Sequence, residues 1–169
     1  MFKRKLIWPL VAFIAIVVLL QNGRTFYENR KLDRYLTEYD FHAYTYDQID
    51  ESTLALFTNE DETLLGLAEM NDDDYAFETV DSIDMPPFDY VHLHDETTHY
   101  FGVRLNHNPQ KVASLRIIGE LMQEQHVLNR PEEDAFSEYH ILKLHNAPQE
   151  NWTLQTLDQN NQVLDSIDL

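Results

Sequence analysis

Thr53-Leu54-Ala55-Leu56-Phe57-Thr58, then Asn59-Glu60-Asp61-Glu62, then Thr63-Leu64-Leu65-Gly66-Leu67-Ala68-Glu69-Met70 is the stretch whose reading decides the fold. Two short apolar runs flank four polar turn formers, the pattern of a β-hairpin. The same rhythm continues. Asn71 to Asp74 makes the next polar break before Tyr75 to Val80, and further strands are expected at Asp89 to His94, Tyr100 to Leu105, Val112 to Ile118, Leu121 to Val127, Glu138 to His145, Trp152 to Leu157 and Val163 to Ile167. Turns draw on Asn and Asp, which tolerate turn backbones, because the chain has only four glycines. Short strands at this spacing, without long helical patterns between them, predict a mainly β domain: an antiparallel sandwich or a strongly curved sheet. Ser114 to Gln125 also fits a helix with Leu115, Ile118, Leu121 and Met122 on one side.

Upstream the pattern differs twice. From Thr25 to about Tyr39, residues Glu28, Leu32, Tyr35, Leu36 and Tyr39 recur at partly helical spacing, which predicts a short helix that either packs on the domain or serves as a stalk. Before it, Lys3, Arg4 and Lys5 precede a charge-free, largely apolar run from Leu6 to Gly23. Eighteen residues at 1.5 Å each reach about 27 Å, close to the roughly 30 Å hydrocarbon core of a bilayer. Small residues at alternate positions would mark cleavage of a secretion signal, and beyond the apolar run only Gly23 qualifies. An uncleaved anchor is favoured over a removed signal peptide. The expected organisation is an anchor over residues 1–23, a juxtamembrane helix or linker over 24–45, and an acidic β-rich domain over 46–169.

Basic residues flank the apolar run on both sides, since Arg24, Arg30, Lys31 and Arg34 follow it. The tighter cluster before the run favours a short cytoplasmic tail with the domain outside. Three of the chain's twelve Lys and Arg precede the run, so nine face all thirty Asp and Glu after it, a net charge of −21. Such a surface repels nucleic acid and anionic lipid, and nucleic acid is excluded as a partner. The acids are scattered rather than blocked, as expected of a solubility surface.

Absences narrow the chemistry further. Without Cys there is no disulfide, thiolate metal site, Cys nucleophile or lipid-modified cysteine. No Gly-x-Ser-x-Gly elbow occurs, and the isolated Gly23, Gly66, Gly102 and Gly119 build no phosphate loop. No catalytic residue and no cofactor is assigned. The one candidate metal set is His92, His94 and His99, in His-Leu-His-Asp-Glu-Thr-Thr-His, with Asp95 or Glu96 to complete a shell. On a strand His92 and His94 share one face while Val91 and Leu93 supply the core face, which would leave the imidazoles in water. Asp72, Asp73 and Asp74 lack the glycine and terminal Glu of a calcium loop and read as a solvated turn. The abundant Tyr and Phe suit either a ligand platform or a strand-rich core.

Tyr100-Phe101-Gly102-Val103, Asn106, Pro109 and the strand Val112 to Ile117 resemble a pattern in small, uncharacterised membrane-anchored or exported β-domain proteins of Gram-positive bacteria. Trp152-Thr153-Leu154 and the hairpin from Leu157-Asp158 to Val163-Leu164 are similar to their closing element. The resemblance implies an extracytoplasmic β domain and brings no catalytic residues with it. Three functions are compatible with these observations: a membrane-anchored module binding a protein or envelope component, a metal-dependent hydrolase using His92, His94 and His99, and a structural subunit of a membrane complex.

Overall fold

The computed structural model describes residues 23–72, 74–82, 86–94, 98–119, 122–128, 138–145 and 151–169. The apolar run up to residue 22 lies outside them, as do Asp73, Asp95 and Glu96. Among the described residues no helix is long and apolar enough to cross a membrane.

Helix α1 (described over 23–37) leads through a three-residue turn into eleven strands. These are β1 (Phe41–Ile49), β2 (Ser52–Asn59), β3 (Leu64–Asn71), β4 (Asp74–Asp81), β5 (Phe88–His94), β6 (Thr98–Leu105), β7 (Ser114–Ile118), β8 (Gln123–Val127), β9 (Tyr139–His145), β10 (Thr153–Leu157) and β11 (Val163–Asp168). They form three antiparallel sheets with orders β1-β2-β3-β4, β5-β6-β9 and β11-β10-β7-β8. The protein is therefore mainly β, and the segment from Ser114 to Gln125 is a strand pair rather than a helix.

The layers follow from side-chain alternation. In β2, Leu54 and Leu56 point one way and join Leu65, Leu67, Val91, Leu93 and Tyr100 between the first and central sheets. Ala55 and Phe57 point the other way and join Ala68, Met70 and the helix residues Leu32 and Leu36. Phe101, Val103 and Leu105 of β6 then pack with Leu142, Leu144, Leu115, Ile117, Leu154 and Trp152 between the central and third sheets. The order is thus helix, first sheet, central sheet, third sheet. A central sheet covered on both faces explains why every residue of β6 is buried, its polar members included.

Two glycines permit close approach. A methyl group on Gly66 would collide with the Phe57 ring directly across the strand pair, and one on Gly102 would collide with Leu56 of the first sheet. Turns use Asp and Asn as anticipated: Asp40, Asp50, Asp72, Asn108 and Asn161 take left-handed backbones, and Glu62 is the one other non-glycine residue among those described to do so.

β1 was not anticipated. Its register slips at Ala43/Thr45, a bulge that changes the phase of its apolar positions and breaks the alternation by which a strand is recognised. The strand runs through position 45/46, so the folded unit includes residues that read as linker. Helix α1 matches its periodicity and packs on the first sheet. Tyr35 stacks on Tyr75 at 4.2 Å, Tyr46 donates a 2.9 Å hydrogen bond to Asp33, and Lys31 donates to the Asp72 carbonyl at 3.1 Å.

The register also defines two ends. At the near end, where α1 begins, lie the β1–β2 tip around Asp50, the β3–β4 tip around Asp72, and the β5–β6 edge with His94 opposite His99. Thr25 and Glu28 both hydrogen bond to Gln48 there, and Lys143 of β9 pairs with Asp50. At the far end lie the β2–β3 turn, Ser82, Phe88, Leu105 and Tyr139.

Candidate functional site

Two polar clusters sit at these opposite ends. The near-end cluster is the histidine set. His92 of β5 faces the third sheet, with its ring 4.5 Å from Phe101 and nearly parallel to it. β6 carries His99 to the same side, where His92 Nε2 and His99 Nδ1 stand 3.0 Å apart, at hydrogen-bond distance, with the tautomer deciding which donates. His94 stacks beside them at 5.2 Å from His92 and 5.8 Å from His99. The edge of Trp152 closes over His99 at 4.7 Å, and its buried indole N–H has no hydrogen-bond partner among the described residues.

Of His92 and His94, for which a wet strand face was expected, only His94 is exposed. His99 is buried and His92 half-buried, because the third sheet covers the face that a two-layer reading would expose to water. Burial, and then the charges His99 and His94 would carry, push the His92 pKa from about 6.5 down to about 4. At neutral pH His92 is an uncharged imidazole, able to accept a proton or a coordinate bond. Among the described residues, no group of three or more His, Asp or Glu is placed to hold a metal ion. Asp95 and Glu96, the expected completing ligands, lie outside the described residues.

The far-end cluster is ionic and buried. Arg104 and Asp89 are direct cross-strand partners in β6 and β5 on the face toward the first sheet. Arg104 Nη2 donates to Asp89 Oδ2 at 2.8 Å, Nε donates to the same oxygen at 3.3 Å, and Nη1 donates to the Glu62 carbonyl at 3.2 Å. Ser82 accepts from Arg104 and donates to Asp89. Asn106 Nδ2 donates to Asp89 at 2.8 Å and to the Pro86 carbonyl at 2.9 Å. Arg104 thus fastens the turn that holds Glu62 in its left-handed backbone, a conformation that costs a non-glycine residue about 1–3 kcal/mol.

Around this network Tyr44 stacks on Tyr139 at 4.3 Å and donates to Glu62 at 2.8 Å. Burial raises the Tyr139 pKa to about 12; Tyr44 and Glu62 add to the effect and Arg104 opposes it. Reading motifs did not find this cluster. The available signal was an acid at the core-face parity of Val91 and Leu93, one β-hairpin away from a base at the parity of Tyr100 and Gly102.

The acidic turn at Asp72 and Asp74 is the β3–β4 tip, beside a shallow groove lined by Glu69, Asn71, Asp72, Asp74 and Tyr75. The Lys31 ammonium already contacts the backbone there. Comparison with protein-family models, curated proteins and solved structures returns no match.

Proposed function

We propose that the chain is a single-pass, membrane-anchored interaction module. Residues 6–23 hold it in a bacterial membrane, and the acidic β domain on the outer face binds a protein or envelope component. The resemblance to exported β-domain proteins of Gram-positive bacteria belongs to the same reading, and the charge-free run with its basic flank supports the anchor.

The observation that carries the binding role is where the apolar surface lies. Of the eight exposed large hydrophobic side chains among the described residues, Phe26 and Tyr27 lie at the start of α1, and Tyr39, Tyr44, Val80, Val127, Val163 and Leu164 lie toward the far end. Exposed aromatic and aliphatic side chains on a strongly acidic domain suit recognition better than solubility.

Protease treatment of intact cells, followed by an alkaline wash of their membranes, tests this reading. The anchor predicts retention through the wash, and the topology predicts digestion of the domain from outside. Release by the wash or protection from protease overturns it. Stoichiometric zinc in protein purified without chelators, lost in His92→Ala and His94→Ala, would move the assignment to a metal-dependent hydrolase.

A further inference from the structure

We propose that the anchor does not end the contact with lipid: the outward face of the first two turns of α1, formed by Arg24, Phe26, Tyr27 and Arg30, lies in the headgroup layer of an anionic bilayer. The inference rests on the membrane-anchored reading above and adds a second contact to it. It begins with two side chains that the fold leaves bare. Phe26 and Tyr27 are 60% and 67% exposed, on a helix whose opposite face buries Leu32 and Leu36 completely. Large aromatics at such exposure are costly in water and are enriched where water meets acyl chains.

Position and charge identify the occupant. The charge-free run ends at Gly23, within one helical turn of both aromatics, so a membrane holding that run would bring its surface to them. Arg30 holds its guanidinium 4.7 Å over the Phe26 ring, which keeps a cation and an apolar ring on one face. Over residues 23–37 four basic side chains meet two acidic ones, whereas residues 38–169 carry five bases and twenty-eight acids. Helix α1 is thus a net basic element on an acidic domain. An anionic surface attracts the outward bases Arg30 and Arg24, the latter also paired with Glu28 at 2.6 Å, and repels the rest of the molecule.

The consequence is an orientation. Tyr46, Lys31 and the Leu32/Leu36 core fix α1 to the first sheet, so a helix seated at the headgroups holds the sheets at a set attitude to the bilayer. The near end, with His94 and the acidic Asp50 and Asp72 tips, is then the end next to the bilayer, held there by the anchor and α1 against the repulsion of those carboxylates, and the exposed apolar residues of the far end face away.

Because the native chain has no Cys, single-cysteine labelling tests this directly in the full-length protein. Tyr27→Cys and, as a far-end control, Val127→Cys are labelled with a polarity-sensitive fluorophore and reconstituted into phosphatidylcholine vesicles with and without phosphatidylglycerol. Retention through an alkaline wash first establishes anchoring in each preparation. The expected result is a blue shift and loss of emission to headgroup-located quenchers at position 27 only. Both grow with phosphatidylglycerol and shrink in Arg24→Gln/Arg30→Gln. An anchored protein whose position 27 is quenched only from water overturns the headgroup contact and leaves the anchor standing. A shift that follows protein-to-lipid ratio assigns the face to a second copy of the chain and also overturns it. Loss in the wash overturns both readings.

Discussion

At the far end Arg104 and Asp89 meet as ions sealed from water, whereas at the near end two imidazoles, His92 and His99, meet at hydrogen-bond distance. Both pairs lie on the central sheet, one toward the first sheet and the other toward the third. A buried ion pair holds only while every member is present, because removing one partner strands a charge in low dielectric. A histidine pair with the uncharged, half-buried His92 as one member has another way out: it can take up a proton. The far end is therefore the part of the molecule most sensitive to substitution, and the near end the part most sensitive to pH.

Breaking the far-end pair is the largest expected effect. Arg104→Met leaves Asp89 buried with only Ser82 and Asn106 as donors, and it releases the Glu62 turn. The expected loss is about 3–5 kcal/mol in urea unfolding. Arg104→Met/Asp89→Leu should recover most of it, since no unpaired charge remains. A double variant as unstable as the single one would mean that Arg104 acts through the turn and not through the ion pair.

The two ends share the contact at Gly102, midway along β6, where Leu56 of the first sheet occupies the space of a side chain. Gly102→Ala forces the sheets apart there, with an expected cost of about 1–3 kcal/mol. The substitution should slow neither pH response nor ion pairing selectively. An effect confined to one end, read by hydrogen exchange at Arg104 and at His99, would show that the sheets hinge.

At the near end the sign of the pH response follows from the lowered His92 pKa. Between about pH 6.5 and about pH 4 the unfolded chain binds a proton that folded His92 refuses, so stability is complete above this window and falls as pH drops through it. A displacement of that size is worth at most about 3 kcal/mol, and the ring's partial exposure brings it to about 1–2 kcal/mol. His92→Gln should show a flatter pH dependence of unfolding. An imidazole titration of His92 centred near 6.5 would remove the contrast between the ends.

What the chain disclosed in advance follows the same division. Most strands from Thr53 onward were legible because polar Asn and Asp turns punctuate short apolar runs such as Leu54 to Phe57 and Leu64 to Ala68, whereas Ser114 to Gln125 fitted a helix as well as strands. β1 was illegible because the bulge at Ala43/Thr45 shifts its phase, and pattern matching has no access to a bulge. His92, His94 and His99 could be grouped by spacing, but their burial depends on a third sheet assembled from residues beyond Ser114. The Asp89–Arg104 pair was visible only as two charges at core parity. Its meaning required the cross-strand register, which the residues between them do not state.

The smallest expected effect tests whether the near end has an ionic anchor of its own. Lys143 of β9 pairs with Asp50 at the β1–β2 tip and joins the central sheet to the first, as Arg104 does at the far end. The difference is solvent: Asp50 is 71% exposed, so water and salt screen the pair and its carboxylate needs no partner to remain charged. Exposed pairs of this kind contribute about 0–1 kcal/mol, and Lys143→Gln should cost no more than that and less in high salt. Each pair sits at one end of the sheets, and burial is what separates them. A loss at Lys143→Gln comparable with that at Arg104→Met would mean that the junction between the sheets, rather than desolvation of the charges, makes the far end intolerant of substitution.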